Sequence, residues 1–191
     1  MAQPDEIKRQ IIEALRVPLI AAGPDRAAQI KKSDPWSRVV FDRLGELGKT
    51  LGYFVYGGRC ACADVKREWV FDHAWIDCEP CLGVPEALGW VRGVPLVVES
   101  EWALSGDPLW DFNKLLAARA DHRLLVFGGG EKKQKMTRSN AIELLSEAVR
   151  RLRSAVRGDR LLVLAYQYGG AQAGHFAEGR LFVEGEEPLC L

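Results

Sequence analysis

Val94-Pro95-Leu96-Val97-Val98-Glu99-Ser100-Glu101 opens as a continuous apolar run and ends in two carboxylates one residue apart. Its brevity and β-branched content predict a strand buried on both faces. Side chains alternate along a strand, so Glu99 and Glu101 point to one side and Ser100 to the other. Carboxylates ending an otherwise apolar strand lose hydration unless water or a cation compensates them. Two of them a pleat apart suit a hard divalent cation, Mg²⁺ or Mn²⁺. From these two residues alone, a strand that simply emerges into solvent explains the pattern equally well.

The neighbouring segments set the fold class. Downstream, Leu109, Phe112, Leu115 and Leu116 mark one side of a helix over 108–120, and Arg123-Leu124-Leu125-Val126-Phe127 reads as another buried strand closed by three glycines. Strand, helix, strand in this order is a crossover unit, which predicts an α/β fold. Upstream, Tyr53–Tyr56 is a short β-prone run, and the Val-, Trp- and Phe-rich segment from Asp64 to Ile76 predicts a second strand paired with it. Alternation along that strand puts Glu68, Val70 and Asp72 on one face and Trp69 and Phe71 on the other, which makes Asp72 a polar exception. Ser33-Asp34-Pro35 starts a helix over 36–51, and before it Ile7, Ile11, Ile12 and Leu15 predict an amphipathic helix over 5–16 ended by Pro18. After the core, 139–156 reads as a helix, and 161–166 and 180–183 read as late strands.

Composition bounds the class. A chain of 191 residues with 48% hydrophobic and 27% charged residues is ordinary globular composition, and the expectation is one domain over 1–191. Within it, 1–35 is a helical lead-in, 36–127 the core, and 128–191 a C-terminal helix with strands. Lys plus Arg (26) equals Asp plus Glu (26), so a polyanion would have to be held by a local basic patch. With no basic n-region and no apolar run of spanning length, the expected location is the cytoplasm. Five cysteines there are expected as thiols or metal ligands. Cys60-x-Cys62 and Cys78-x-x-Cys81 have the outline of a four-thiolate zinc site, but a continuous strand over 64–76 would hold the pairs about 40 Å apart. Buried or loop thiols are therefore the first reading.

The order of helix, strand, strand with Asp72, strand with Glu99-x-Glu101, helix with Lys114, and strand 123–127 resembles the PD-(D/E)XK, or restriction endonuclease-like, nuclease superfamily. The matching stretches are Glu68-Trp69-Val70-Phe71-Asp72, Pro95-Leu96-Val97-Val98-Glu99-Ser100-Glu101-Trp102 and Asp111-Phe112-Asn113-Lys114-Leu115-Leu116, within 36–127. The resemblance implies a mixed central sheet flanked by helices, here with an extra N-terminal helix. It implies Asp72 and Glu99 as metal ligands with a helix carboxylate beside them. Asp42 and Glu46 share a helical face, and Glu46 is the preferred member. Glu101 stands where the family usually has lysine, and there it would act as a ligand or as base for the attacking water. Lys114, one element later, would supply the displaced positive charge.

The implied function is a Mg²⁺- or Mn²⁺-dependent nuclease that hydrolyses phosphodiester bonds of DNA or another polynucleotide. Asp72, Glu99, Glu101 and Lys114 would be its catalytic set. The alternative is a catalytically silent nuclease-fold protein that binds or regulates, motivated by the missing motif lysine and the neutral net charge. Lys132, Lys133, Lys135 and Arg138 crowd one loop and are expected to contact phosphates, although basic clusters are more often simply solvated. The partner expectations are a nucleic acid, no membrane and, optionally, a second copy of the chain as a homodimer. Gly128-Gly129-Gly130 lacks the lysine and hydroxyl of a P-loop, so nucleotide-cofactor folds are not expected.

Overall fold

The computed structural model describes residues 4–21, 33–79, 89–101, 108–130, 138–151, 160–168, 176–183 and 189–190. Helices α1 (Pro4–Ala21) and α2 (Ser33–Thr50) precede a meander of β1 (Phe54–Tyr56), β2 (His73–Glu79) and β3 (Trp90–Glu101). Helix α3 (Pro108–Ala117), β4 (His122–Gly130), α4 (Arg138–Arg151) and β5 (Arg160–Tyr168) follow, then β6 (Phe176–Val183) and β7 (Leu189–Cys190). The seven strands form one mixed sheet in sequence order. Strands β1, β2 and β3 pair antiparallel, β4 runs parallel to β3 and β5 parallel to β4, and β6 and β7 return antiparallel.

Alternation along the central strands divides the core into two layers. Leu96 and Val98 of β3, Leu124 and Val126 of β4, and Leu162 and Leu164 of β5 pack with Ile7, Ile11 and Leu15 of α1 and Val40, Phe41 and Leu44 of α2. Their neighbours Val97, Leu125, Phe127, Leu161 and Val163 pack on the other side with Phe112 and Leu115 of α3 and Leu145 of α4. The middle of each central strand is therefore apolar because both faces are covered by helices. The crossover unit expected around α3 carries the parallel pair β3/β4, and α4 precedes a second parallel pair, β4/β5, that was not expected.

Three expectations change. Helix α1 continues through Pro18 to Ala21. Pro18 stands at the start of the last turn, where its missing N–H removes a single helical hydrogen bond, and Ile7, Ile11 and Leu15 are buried regardless. The strand expected from Asp64 is not one strand: β2 starts only at His73, and the one β-bridge that residues 64–72 make to the sheet is between Tyr56 and Val65. The cause is local. The Asp64 carboxylate accepts the Val55 N–H at 2.9 Å and pairs with Lys49 at 2.9 Å, which pins a turn there, and neither Trp69 nor Val70 is buried. With that strand gone, the separation of the cysteine pairs has a different basis. Cys60 lies in the α2-side layer, Cys78 packs against the α3-side layer, and Cys81 falls outside the described residues. No described helix is long and apolar enough to cross a membrane.

Helix α2 carries Gly45 and Gly48 on the side that meets the sheet. A Cβ at position 48 would stand 2.6 Å from Trp75 Nε1 and 2.8 Å from its Cδ1. Trp75 is fully buried and donates its indole N–H to the Leu44 carbonyl at 3.0 Å, so the ring cannot step aside. Gly48→Ala should destabilise the fold by about 1–2 kcal/mol. Overpacking of a filled core outweighs the roughly 1 kcal/mol gained in helix propensity. A urea denaturation midpoint equal to or above that of the parent chain would contradict this packing account.

Candidate active site at the end of strand β3

Strand β3 runs beyond the first residue of β2, and the site is built on that overhang. His73 pairs with Val98, so the next residues on β3 have no strand partner on that side. Asp72 takes the place of one: its Oδ2 accepts the Ser100 N–H at 3.0 Å. Its Oδ1 lies 2.7 Å from the Arg59 guanidinium, delivered by the loop after β1. Arg59 is fixed in turn by the Phe41 ring, 5.2 Å beneath its guanidinium carbon, and by a hydrogen bond it donates to Ser37 Oγ at 3.4 Å. Ser37 and Ser100 hydroxyls meet at 3.0 Å and tie α2 to β3. Glu68 also approaches Arg59, at 3.9 Å.

On the opposite side of β3, Glu99 is only 2% exposed. Lys114 of α3 brings its Nζ to 2.7 Å from Glu99 Oε1 and to 3.0 Å from Asp111 Oδ1. Burial pushes the Glu99 carboxyl up to about 7; Lys114 opposes this, and the negative charge of Asp72 adds to it. Asp72 is also raised, chiefly by burial, against the pull of Arg59 and the Ser100 N–H. For Lys114, burial works to lower the ammonium, but the contacts with Glu99 and Asp111 carry it above its ordinary value. The chemistry assembled is a pair of partly desolvated carboxylates, each with a cation at ion-pair distance.

Of the residues expected at the site, the fold pairs Lys114 with Glu99 and sets Asp72 at the Ser100 N–H, close enough for its charge to bear on Glu99, and half-buried Glu101 lies one pleat beyond Glu99. Glu46 does not join them. Its side chain is exposed, pairs with Arg43 at 3.3 Å, and lines a surface groove between α1 and α2. Asp42 is turned elsewhere too, accepting the Ala61 N–H at 2.6 Å. The α2 residue that reaches the site is Ser37, four residues before Phe41 on the sheet-facing side. Lys132, Lys133 and Lys135 lie outside the described residues, and Arg138 is placed only as the first residue of α4.

Arg59, Ser37 and Glu68 were missed by sequence reasoning. For Glu68 a signal existed, since it lies four residues before Asp72 in the quoted stretch. Arg59 had none, because a loop arginine is ordinary until the fold places Asp72 beside it. His73 is buried beside the site, stacks on Phe41 with ring centroids 5.4 Å apart, and has no hydrogen-bond partner at either ring nitrogen. Burial lowers it to about 3, so it is a neutral core ring.

No protein-family model matches this chain, and no curated protein or solved structure is significantly similar to it.

The Glu99 shift has a signed consequence for stability. The unfolded carboxyl ionises near its ordinary value of 4.5, whereas the folded one holds its proton to about pH 7. Its contribution to stability is fully present below 4.5 and is lost as pH rises through about 7. Glu99→Gln cannot ionise and escapes that loss. Its stability relative to the parent should therefore improve by on the order of 2 kcal/mol between about pH 5 and about pH 8. Urea unfolding of both proteins across that range measures it, and a pH-independent difference would refute the buried-acid assignment.

Proposed function

We propose that the chain is a divalent-metal-dependent nuclease of the PD-(D/E)XK kind, acting on DNA or another polynucleotide. One observation carries the reading: Lys114 of α3 reaches Glu99 at 2.7 Å at the end of β3, with Asp72 near enough that its negative charge bears on Glu99. The element order supports it as well, since a helix, a three-stranded antiparallel meander, a crossover helix and a parallel strand is the arrangement the resemblance implies.

The donor set suits Mg²⁺ or Mn²⁺. These ions take one or two carboxylates and keep several waters, and Asp72 and Glu99 offer hard oxygen ligands with Glu101 one pleat away. A cation would also relieve the burial and mutual repulsion that hold Glu99 partly protonated. Asp72 and Glu99 would hold the ion, which supplies a more acidic bound water and neutralises charge on a phosphate. Lys114 holds positive charge beside Glu99, where it stabilises the added charge of a pentacovalent phosphate. Arg59 offers a planar guanidinium to a phosphate oxygen once a cation competes for Asp72. Trp69 and Trp110, 45% and 69% exposed, each adjoin a carboxylate of the site, Glu68 and Asp111, and present faces on which bases can stack.

A second reading has its own observation. Arg59 and Lys114 already stand at ion-pair distance from the two carboxylates, which a chain that binds without cutting would also keep. Turnover separates the two. Plasmid and single-stranded DNA incubated with the purified chain in Mg²⁺ or Mn²⁺ should be cut, and Glu99→Gln should abolish the cleavage. Lys114→Ala should slow it by about 10²-fold or more. Cleavage that persists at the parent rate in Glu99→Gln, or no cleavage by the parent, would reject the nuclease.

A further inference from the structure

The loop that delivers Arg59 holds a second cluster, unconnected with the carboxylates at β3. Cys60 Sγ and Cys62 Sγ face each other at 3.3 Å, and a carboxylate oxygen of Asp42 completes a trio of donor atoms within 4.8 Å of one another. Among the described residues this is the one group of three or more such donors so closely placed. We propose that Asp42, Cys60 and Cys62 form a zinc site that binds the loop after β1 to helix α2, with water in the fourth position.

The donor chemistry and spacing fit. Zinc takes thiolate sulfur and carboxylate oxygen together in tetrahedral geometry, and sulfurs at 2.3 Å from the metal stand roughly 3.8 Å apart. The thiols need to open by only about half an ångström to reach that separation. Asp42 is already oriented: one oxygen accepts the N–H of Ala61, the residue between the two cysteines, at 2.6 Å. A ligating carboxylate can keep such a bond through one oxygen while binding through the other, which is how outer hydrogen bonds orient metal ligands.

The fold also makes room on the helix side. A Cβ at Gly45 would lie 2.5 Å from Cys62 Sγ and 2.6 Å from Cys60 Sγ, so a larger residue would push the sulfurs away. Two thiolates and a carboxylate leave a zinc centre with one net negative charge. Lys49, one turn beyond Gly45, has its ammonium raised chiefly by its pairing with Asp64, and charge on either sulfur adds to this. Zinc displaces the two thiol protons to solvent, with no electron transfer.

The fully reduced chain, titrated with Co²⁺ as a spectroscopic substitute, tests this. One equivalent should produce a thiolate-to-cobalt charge-transfer band with tetrahedral d–d absorption, and Zn²⁺ should bleach both stoichiometrically. Cys62→Ser should lose the band, Asp42→Asn should weaken binding by more than about 10-fold, and Cys78→Ser should bind as the parent does. Circular dichroism checks that each variant is folded. If Cys62→Ser does not fold, Asp42→Asn decides alone, and unchanged affinity in it overturns the site. A parent chain without the band at equimolar Co²⁺, or a band lost in Cys78→Ser and kept in Cys62→Ser, overturns it equally. None of these readouts depends on nuclease activity.

Discussion

Strand β3 is covered on both faces, and from that constraint the site follows. A strand with two buried faces sends each successive side chain into a different helical layer. Leu96 and Val98 enter the layer of α1 and α2, and Val97 enters that of α3 and α4. At the end of the strand the alternation continues with polar residues, so Ser100 meets Ser37 of α2 while Glu99 meets Lys114 of α3. Both layers therefore reach the site through adjacent residues of one strand. The parallel β3/β4 pairing, with Glu99 opposite Leu125 and Ser100 opposite Val126, holds this overhang in place.

The charges at the site are paired locally and supplied from a distance in sequence. Arg59 comes from the loop after β1, Asp72 from the residue before β2, Glu99 from β3 and Lys114 from α3. Removing one charge leaves its partner partly desolvated, which costs more than the pair contributes when intact. A divalent ion entering such a site replaces cations that are already there, so its affinity reflects a difference between two kinds of positive charge.

Much of this was legible in the sequence because it rests on short-range periodicity. The 94–101 run, the helix patterns and the crossover order require only alternation and helical spacing, and the two-layer core reproduces them. Lys114 was legible for the same reason, lying one element beyond Glu99. What the sequence concealed were contacts made by loops. The irregular path of 64–72 depends on one Asp64 side chain capturing the Val55 N–H, an event with no periodicity. Arg59, Ser37 and the meeting of Cys60 and Cys62 with Asp42 depend on how that loop folds back onto α2. The resemblance implies a helix carboxylate, with Glu46 preferred over Asp42, but the sheet-facing side of α2 passes through Ser37, Phe41, Leu44 and Gly48, and Glu46 lies off it.

Asp72 and Glu99 stand in opposite relations to the fold that carries them. Asp72 closes the end of the β2/β3 ladder by accepting the Ser100 N–H, so an acceptor at that position serves the sheet whether or not any reaction occurs. Glu99 returns less, because burial makes its ionised form unfavourable, and a glutamine there would leave Lys114 its contact with Asp111. Drift in a lineage released from activity would thus erode the two positions unequally, stripping Glu99 while sheet stability preserved Asp72. On the proposed function, retention of Glu99 would depend on chemistry, whereas sheet stability alone accounts for Asp72.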